Sequence, residues 1–121
     1  MAKKIGDKIA VEFWDRLEFW LRIGETNIQF KGWQAALMRE LMVNGAAMTV
    51  NGAHSLVLAN GAFKIGSRSV ARFLNKMCDE GRLKVHKERK MKGKRRKRIV
   101  FTSALEPGQF LYQIIVHKEE E

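Results

Sequence analysis

A run of seventeen residues, 82–98, contains eleven Lys or Arg and a single acid, Glu88. The formal net charge of the chain is +10, and the basic and acidic residues outside the run balance each other. Like charges at this density repel one another and cannot be buried without counter-charges. The run must therefore project from whatever core the chain forms. It also needs a polyanion to stabilise it, and nucleic-acid phosphate is the commonest such partner.

Alternating apolar residues on both sides of the run predict that it folds as a β-hairpin. Leu83 and Val85 alternate with polar residues at its start, and Ile99 and Phe101 alternate with others at its end. Pairing Leu83 with Phe101 and Val85 with Ile99 puts all four on one face, with Lys92-Gly93 at or next to the tip. The distal half of this hairpin should extend as a mobile cationic finger.

The remainder of the chain is predicted to form one domain. Its 121 residues, 45% of them apolar, can bury a modest core without disulfides, and Cys78 is the only cysteine. With one thiol and three scattered His, no zinc site and no other cofactor is expected. No apolar run approaches the roughly 18 residues of a membrane span. We therefore expect no membrane partner and a cytoplasmic protein, nucleoid-associated if its source is prokaryotic or viral.

An amphipathic helix is predicted for residues 7–23, ended by Gly24. Its apolar stripe recurs at helical spacing and consists of Ile9, Phe13, Leu17, Trp20 and Leu21. Trp14 and Phe19 lie off this stripe, so more than half of the helix circumference is apolar. Either they are additional core residues, or residues 1–30 form a dimerisation element and the protein is a homodimer.

Two shorter helices are predicted in the middle of the chain. Residues 34–43 repeat the helical spacing and end at Asn44-Gly45, a typical left-handed turn. Residues 48–50 fit a very short strand, and residues 55–59 fit a short apolar helix. A hairpin across Asn51-Gly52 is the alternative for this region, because Asn-Gly favours tight turns.

The strongest helical pattern spans residues 67–80, with Ser67 as N-cap and Gly81 as the C-terminal stop. Cys78 lies on its buried stripe and is interpreted as a small core residue. The opposite face carries side chains that can contact base edges and phosphates: Arg68, Ser69, Arg72, Asn75, Lys76 and Asp79.

This helix and its flanks resemble the winged helix-turn-helix family of DNA-binding domains. The resemblance lies in Leu58-Ala59, in Ile65-Gly66-Ser67-Arg68-Ser69-Val70-Ala71-Arg72-Phe73-Leu74, and in Asp79-Glu80-Gly81-Arg82-Leu83. In the family, a Leu-Ala-rich second helix leads to a recognition helix that ends in an acidic residue and Gly before the wing. The likeness covers roughly Trp33 to Thr102, although residues 59–64 make the turn about one residue longer than usual.

The resemblance implies an α+β fold, a winged helix-turn-helix with an extra N-terminal amphipathic helix and a small antiparallel sheet, the wing. Residues 31–105 would be the DNA-binding domain. The recognition helix would enter the major groove, with Arg68, Ser69 and Arg72 at base edges and Asn75 and Lys76 at the backbone. The wing residues would lie on phosphates or in the minor groove: Lys87, Arg89, Lys90, Lys92, Lys94, Arg95, Arg96, Lys97 and Arg98.

The C-terminal residues 106–121 are expected to form a final strand and an acidic tail. Residues 106–109 fit a type II turn, and residues 110–116 are rich in β-branched and aromatic residues. A third strand beside residues 99–103 is the preferred interpretation. A helix starting near Pro107 is the alternative, because the same apolar residues also fit one helix face.

The sequence favours a sequence-specific binder of double-stranded DNA, a small transcriptional or replication regulator such as those of plasmids or viruses. One alternative is an RNA- or ribosome-associated protein, and another is a protein-interaction module. The run 82–98 contains no Phe, Tyr or Trp on which single-stranded bases could stack, which disfavours the RNA alternative. No enzyme is expected, because the chain lacks a P-loop and a His-Glu-x-x-His motif.

Overall fold

The computed structural model describes residues 17–59, 64–89 and 97–116, and the side chains of all of these except 88, 89, 97 and 98. These residues form an α+β arrangement of helices and two small antiparallel sheets. In chain order, the elements are β1 (Leu17–Ile23), β2 (Thr26–Lys31), α1 (Gly32–Met38) continued by a π-helical turn (Arg39–Val43), α2 (Val50–Ala59), α3 (Ser67–Asp79), β3 (Leu83–Arg89), β4 (Lys97–Ser103), a 3-10 turn (Pro107–Gln109) and β5 (Leu111–Val116).

Residues 17–23 form a strand, so the prediction of a helix reaching Ile23 is wrong for these residues. Leu17, Phe19 and Leu21 are buried, whereas Trp20 is 37% exposed. This alternation has the period of two that a half-buried strand requires. The short apolar run also fits a helix, and it is the pairing with β2 and β5 that selects the strand. The rest of the predicted helix, residues 7–16, lies outside the described residues.

The larger sheet has the strand order β2-β1-β5, and every pairing in it is antiparallel. Gly24, with φ of 60°, makes the tight turn between β1 and β2. The prediction that the C-terminal segment is a strand is confirmed, but its predicted partner is wrong. β5 pairs with β1 rather than β4. Phe19 of β1 is opposite Phe30 of β2 on one side and Ile114 of β5 on the other, so the three strands share one apolar inner face.

The turn before β5 also differs in type from the prediction. The Gln109 N–H donates to the Glu106 carbonyl at 2.9 Å, and the Glu106 N–H donates to Gln109 Oε1 at 2.7 Å. Gly108 lacks the positive φ that a type II turn requires. The segment is therefore a single 3-10 turn.

The helix predicted for residues 34–43 is confirmed as α1 with its π-helical extension, and Gly45 follows it at φ of 69°. α2 begins earlier than predicted and runs through Asn51-Gly52, so the hairpin alternative is wrong. Thr49 explains this start, because its Oγ1 accepts a hydrogen bond from the Gly52 N–H at 3.0 Å in the manner of an N-cap. Met48 forms an isolated β-bridge with Phe101 instead of a strand.

The strongest sequence prediction, the helix α3, is confirmed. Its N-cap is Gly66 rather than Ser67, and the Gly66 carbonyl accepts hydrogen bonds from Ser69 and Val70 at 3.1 and 3.2 Å. At the other end Gly81 has φ of 81°, the left-handed conformation that stops a helix. The chain then turns directly into β3.

The predicted hairpin is present as β3 and β4, but its predicted register is wrong by two residues. Leu83 is opposite Ser103, and Val85 is opposite Phe101. The prediction assumed that four apolar side chains share a buried face, yet Val85 and Ile99 are 48% and 47% exposed. Phe101 is held instead by its backbone hydrogen bonds to Met48, at 2.7 and 3.0 Å. The predicted tip, Lys92-Gly93, lies outside the described residues.

One apolar core joins the larger sheet to the helices. Phe30 of β2 contacts Phe73 of α3 edge to face at 6.0 Å between ring centroids, and Trp33 of α1 contacts the same ring at 5.4 Å. Phe101 of β4 and Phe110 before β5 belong to the same buried cluster. The sheet thus fixes the position of α3 from one side.

Candidate nucleic-acid interface

The exposed face of α3 carries the residues that the sequence predicted for it. Its buried face packs into the core through Val70, Phe73, Leu74 and Met77. The 3.6-residue helical period then directs the intervening side chains outward. The exposed set comprises Arg68, Ser69, Arg72, Asn75, Lys76 and Asp79.

The three cations of this face are not paired with an acid within the described part of the chain. Arg68, Arg72 and Lys76 form no salt bridge with any described residue. Asp79 is the acidic residue on the same helix, and it lies near the C-terminal end. The N-terminal two turns of α3 therefore present positive charge and polar donors toward solvent, an arrangement suited to an anionic partner.

The base of the hairpin is attached to the end of α3 by hydrogen bonds and an ion pair of Arg82. The Arg82 N–H donates to the Met77 carbonyl at 2.9 Å, and the Arg82 carbonyl accepts from the Ala104 N–H at 3.0 Å. The Arg82 guanidinium pairs with Glu80. Arg82 is therefore a structural residue that joins α3 to the hairpin, and one of the eleven cations of the run is neutralised locally.

The structure describes only the proximal part of the cationic hairpin. Lys84, His86 and Lys87 are exposed on β3, and His86 Nε2 lies 3.0 Å from Thr102 Oγ1 across the pair. Arg89, Lys97 and Arg98 belong to the paired strands by their backbones, but their side chains are not described. The other predicted wing residues lie outside the described residues: Lys90, Lys92, Lys94, Arg95 and Arg96.

A groove of about 400 Å³ lies between α3, β2 and the start of α1. Its floor includes the mutually packed rings of Phe30, Trp33 and Phe73. On the α3 side the groove is lined by Ser69, Arg72, Lys76 and the acidic Glu80, and on the side of β2 and α1 it is lined by Gln29 and Gln34. The predicted site residues therefore continue into a groove that no local sequence pattern indicated.

Gln29 and Gln34 are the site residues that sequence reasoning missed. Each is an ordinary polar residue in the sequence, and only the packing of β2 and α1 beside α3 brings them to the groove. Gln29 is held in place because its Nε2 donates to Glu18 Oε1 at 2.6 Å. The alternation of polar and apolar residues along β2 directs the Gln29 side chain to the face opposite Phe30, so Gln29 borders the groove without pointing toward α3.

Cys78 has the structural role that the sequence predicted. It is half-buried and packs against the core. Burial, together with the charge of Asp79, raises the pKa of the Cys78 thiol above its usual range. The thiol is therefore less available as a thiolate nucleophile or metal ligand than an ordinary cysteine.

Among residues 17–59, 64–89 and 97–116, no three His, Cys, Asp or Glu side chains are grouped so that they could hold a metal ion. In those ranges no helix has the length and apolar character needed to cross a membrane. No family model, curated protein or solved structure matches this chain.

Proposed function

We propose that this protein is a sequence-specific double-stranded DNA-binding protein of the winged helix-turn-helix type, acting as a small transcriptional or replication regulator. One observation carries the proposal. The polar and cationic face of α3, whose cations form no salt bridge with a described residue, is joined through Arg82 to the base of a hairpin that continues into the most basic segment of the chain. One surface therefore carries both a helix that can enter the major groove of DNA and, beside it, a source of positive charge.

The order of the elements supports the winged helix part of the proposal. α1, the single bridge at Met48, α2, α3 and the β3-β4 hairpin follow one another, as helix, short strand, two helices and wing do in that family. The bridge from Met48 to Phe101 attaches the segment before α2 to the hairpin. A homodimer, and a cytoplasmic or nucleoid-associated location, belong to the same proposal.

The proposed role of α3 is to read base edges in the major groove. An α-helix fits this groove, and its N-terminal half makes the base contacts in helix-turn-helix proteins. Arg68, Ser69 and Arg72 occupy the first two turns of α3 and are exposed. A bidentate Arg contact to guanine is worth about 1 to 3 kcal/mol of discrimination. We therefore assign sequence preference mainly to these residues.

The proposed role of the surroundings is to bind phosphate. The hairpin supplies a dense set of cations, which raise the affinity for any duplex by releasing counterions. On the opposite side of α3, Lys76 and Gln34 flank the groove and can donate hydrogen bonds to the phosphates of the strand beside the helix. Asn75, exposed near the C-terminal end of α3, contributes in the same way.

The test compares a helix variant with a hairpin variant. We expect Arg72→Ala to weaken binding to a preferred duplex, selected from a random pool, by about 10- to 100-fold while changing binding to random DNA far less. Neutralising Arg95, Arg96 and Lys97 together should weaken both alike and reduce the salt dependence of binding by about three counterions. Fluorescence anisotropy at several salt concentrations measures both effects.

Asn27→Ala is a suitable control, because this exposed residue lies on the outer face of β2 and does not line the groove beside α3. Equal losses of affinity from the helix and hairpin variants, on both the preferred and the random duplex, would contradict the proposal that α3 recognises sequence and the hairpin binds phosphate. Selective retention of folded RNA over duplex DNA by the unmodified protein would replace the proposal with the RNA-associated alternative.

A further inference from the structure

β5 is an edge strand that lacks the usual protection against further pairing. It pairs with β1 along one side, and no described residue pairs with its other side. The strand reads Leu-Tyr-Gln-Ile-Ile-Val and contains no charge, Pro or Gly. Natural edge strands are normally blunted by charges, Pro or bulges, because their free N–H and C=O groups otherwise recruit another strand.

The opposite edge of the same sheet is different. β2 carries Asn27, Gln29 and Lys31 on its exposed face. It also lies beside α3, with which it forms the groove described above. One edge of the sheet is thus polar and partly screened by a helix, whereas the β5 edge is apolar and open among the described residues.

The side chains of β5 extend the apolar core past the covering helices. Tyr112 contacts the buried rings of Phe19 and Phe110, at 6.0 and 6.3 Å between ring centroids, yet it remains 50% exposed. Ile114 and Val116 share its face of the sheet and are 37% and 38% exposed. An additional strand beside β5 would bury these side chains in continuity with the existing core.

We propose that β5 pairs antiparallel with β5 of a second copy of this chain, which forms a continuous six-stranded sheet across a two-fold axis. The strand is complementary to itself in this arrangement. With the axis at Ile114, Tyr112 is opposite Val116 of the other copy; with the axis at Gln113, Tyr112 is opposite Ile114. In both registers side chains of the same face meet, as antiparallel pairing requires.

Electrostatics do not oppose a second copy at this edge as they would at the cationic hairpin. The formal charge of +10 makes two copies repel one another, and its source is the run that begins at Arg82. β5 is uncharged and belongs to a different sheet from the hairpin. Pairing at the β5 edge leaves α3, which lies beside the far edge, free in both copies. This pairing specifies the contact of the proposed homodimer and does not require DNA binding.

The first test measures the oligomeric state in the absence of DNA. We expect sedimentation velocity to show a monomer–dimer equilibrium that shifts toward dimer with rising concentration. Ile114→Lys should weaken dimerisation by about tenfold or more, because it places like charges at or near the two-fold axis. Gln29→Lys, a matched change on the other edge strand, should leave the equilibrium unaltered. A monomer at every soluble concentration, or equal behaviour of the two variants, would overturn the proposal.

A second measurement keeps the test decisive if Ile114→Lys disturbs folding. In a Cys78→Ala background, a single Cys at position 113 or 114 should form a disulfide with its own counterpart under mild oxidation, because the residue on the axis is opposite itself. A Cys at position 29 serves as the control and should remain monomeric. Absence of cross-linking at both β5 positions contradicts the pairing. So does hydrogen-exchange protection of all β5 amides in the monomer, which would indicate a strand supplied by the same chain.

Discussion

The neighbouring residues Phe19 and Trp20 show how the fold assigns opposite roles to similar side chains. Phe19 is fully buried between Phe30 and Tyr112, whereas Trp20 lies on the other face and donates from Nε1 to Glu18 at 3.0 Å. A helical interpretation of the same residues places Trp20 on the buried stripe and Phe19 beside it. The two interpretations therefore make opposite predictions about which aromatic residue carries the stability.

We expect Phe19→Ala to lower the free energy of unfolding by about 3 to 5 kcal/mol, since it removes a fully buried ring. Trp20→Ala should lower the free energy of unfolding clearly less, because the Trp20 side chain is already 37% exposed to solvent. Urea unfolding followed by circular dichroism measures both. A larger loss from Trp20→Ala than from Phe19→Ala would contradict the strand assignment.

At the scale of single elements, the helices follow local sequence signals closely. α3 has a clean apolar stripe and a Gly81 stop, and each is visible within a few residues of sequence. The hairpin is predicted equally well as an element, but its register is not. Register depends on which apolar residues contact other parts of the chain. Phe101 forms a β-bridge with Met48 and packs in the core.

The observed register predicts an unequal effect of two substitutions on β3. Leu83 is buried, so Leu83→Ala should lower the free energy of unfolding by about 2 to 5 kcal/mol. Val85 is 48% exposed, so Val85→Thr should change it by no more than about 0.5 kcal/mol. Thermal and urea unfolding of the two variants distinguish these values. Comparable losses would indicate that Val85 is buried as well, as the register inferred from sequence requires.

At the scale of the whole molecule, the two ends of the described chain meet in one sheet. β1 lies between β2 and β5, although more than eighty residues separate β1 from β5 in sequence. α1 packs against β1 and β2, so this sheet supports the helices that present α3. Removing the N-terminal segment should therefore affect folding before it affects association.

We expect deletion of residues 1–24 to abolish cooperative thermal unfolding. The deletion removes β1, which pairs with both β2 and β5. It also removes three buried side chains, those of Leu17, Phe19 and Leu21. Circular dichroism and differential scanning calorimetry provide the measurement. A deletion variant that melts cooperatively near the temperature of the full chain would show that β1 is dispensable.

The sequence by itself determined the features that depend on near neighbours and on charge. These are the helices α1 and α3, the existence of a hairpin after Gly81, and the exposed face of α3, because helical period, glycine stops and like-charge repulsion act over a few residues. The tertiary structure alone decided that residues 17–23 are a strand, that β5 joins β1, and that Gln29 and Gln34 line the same groove as Arg72. The physical reason is that a short apolar run fits two periods, and only pairing between distant segments selects one of them.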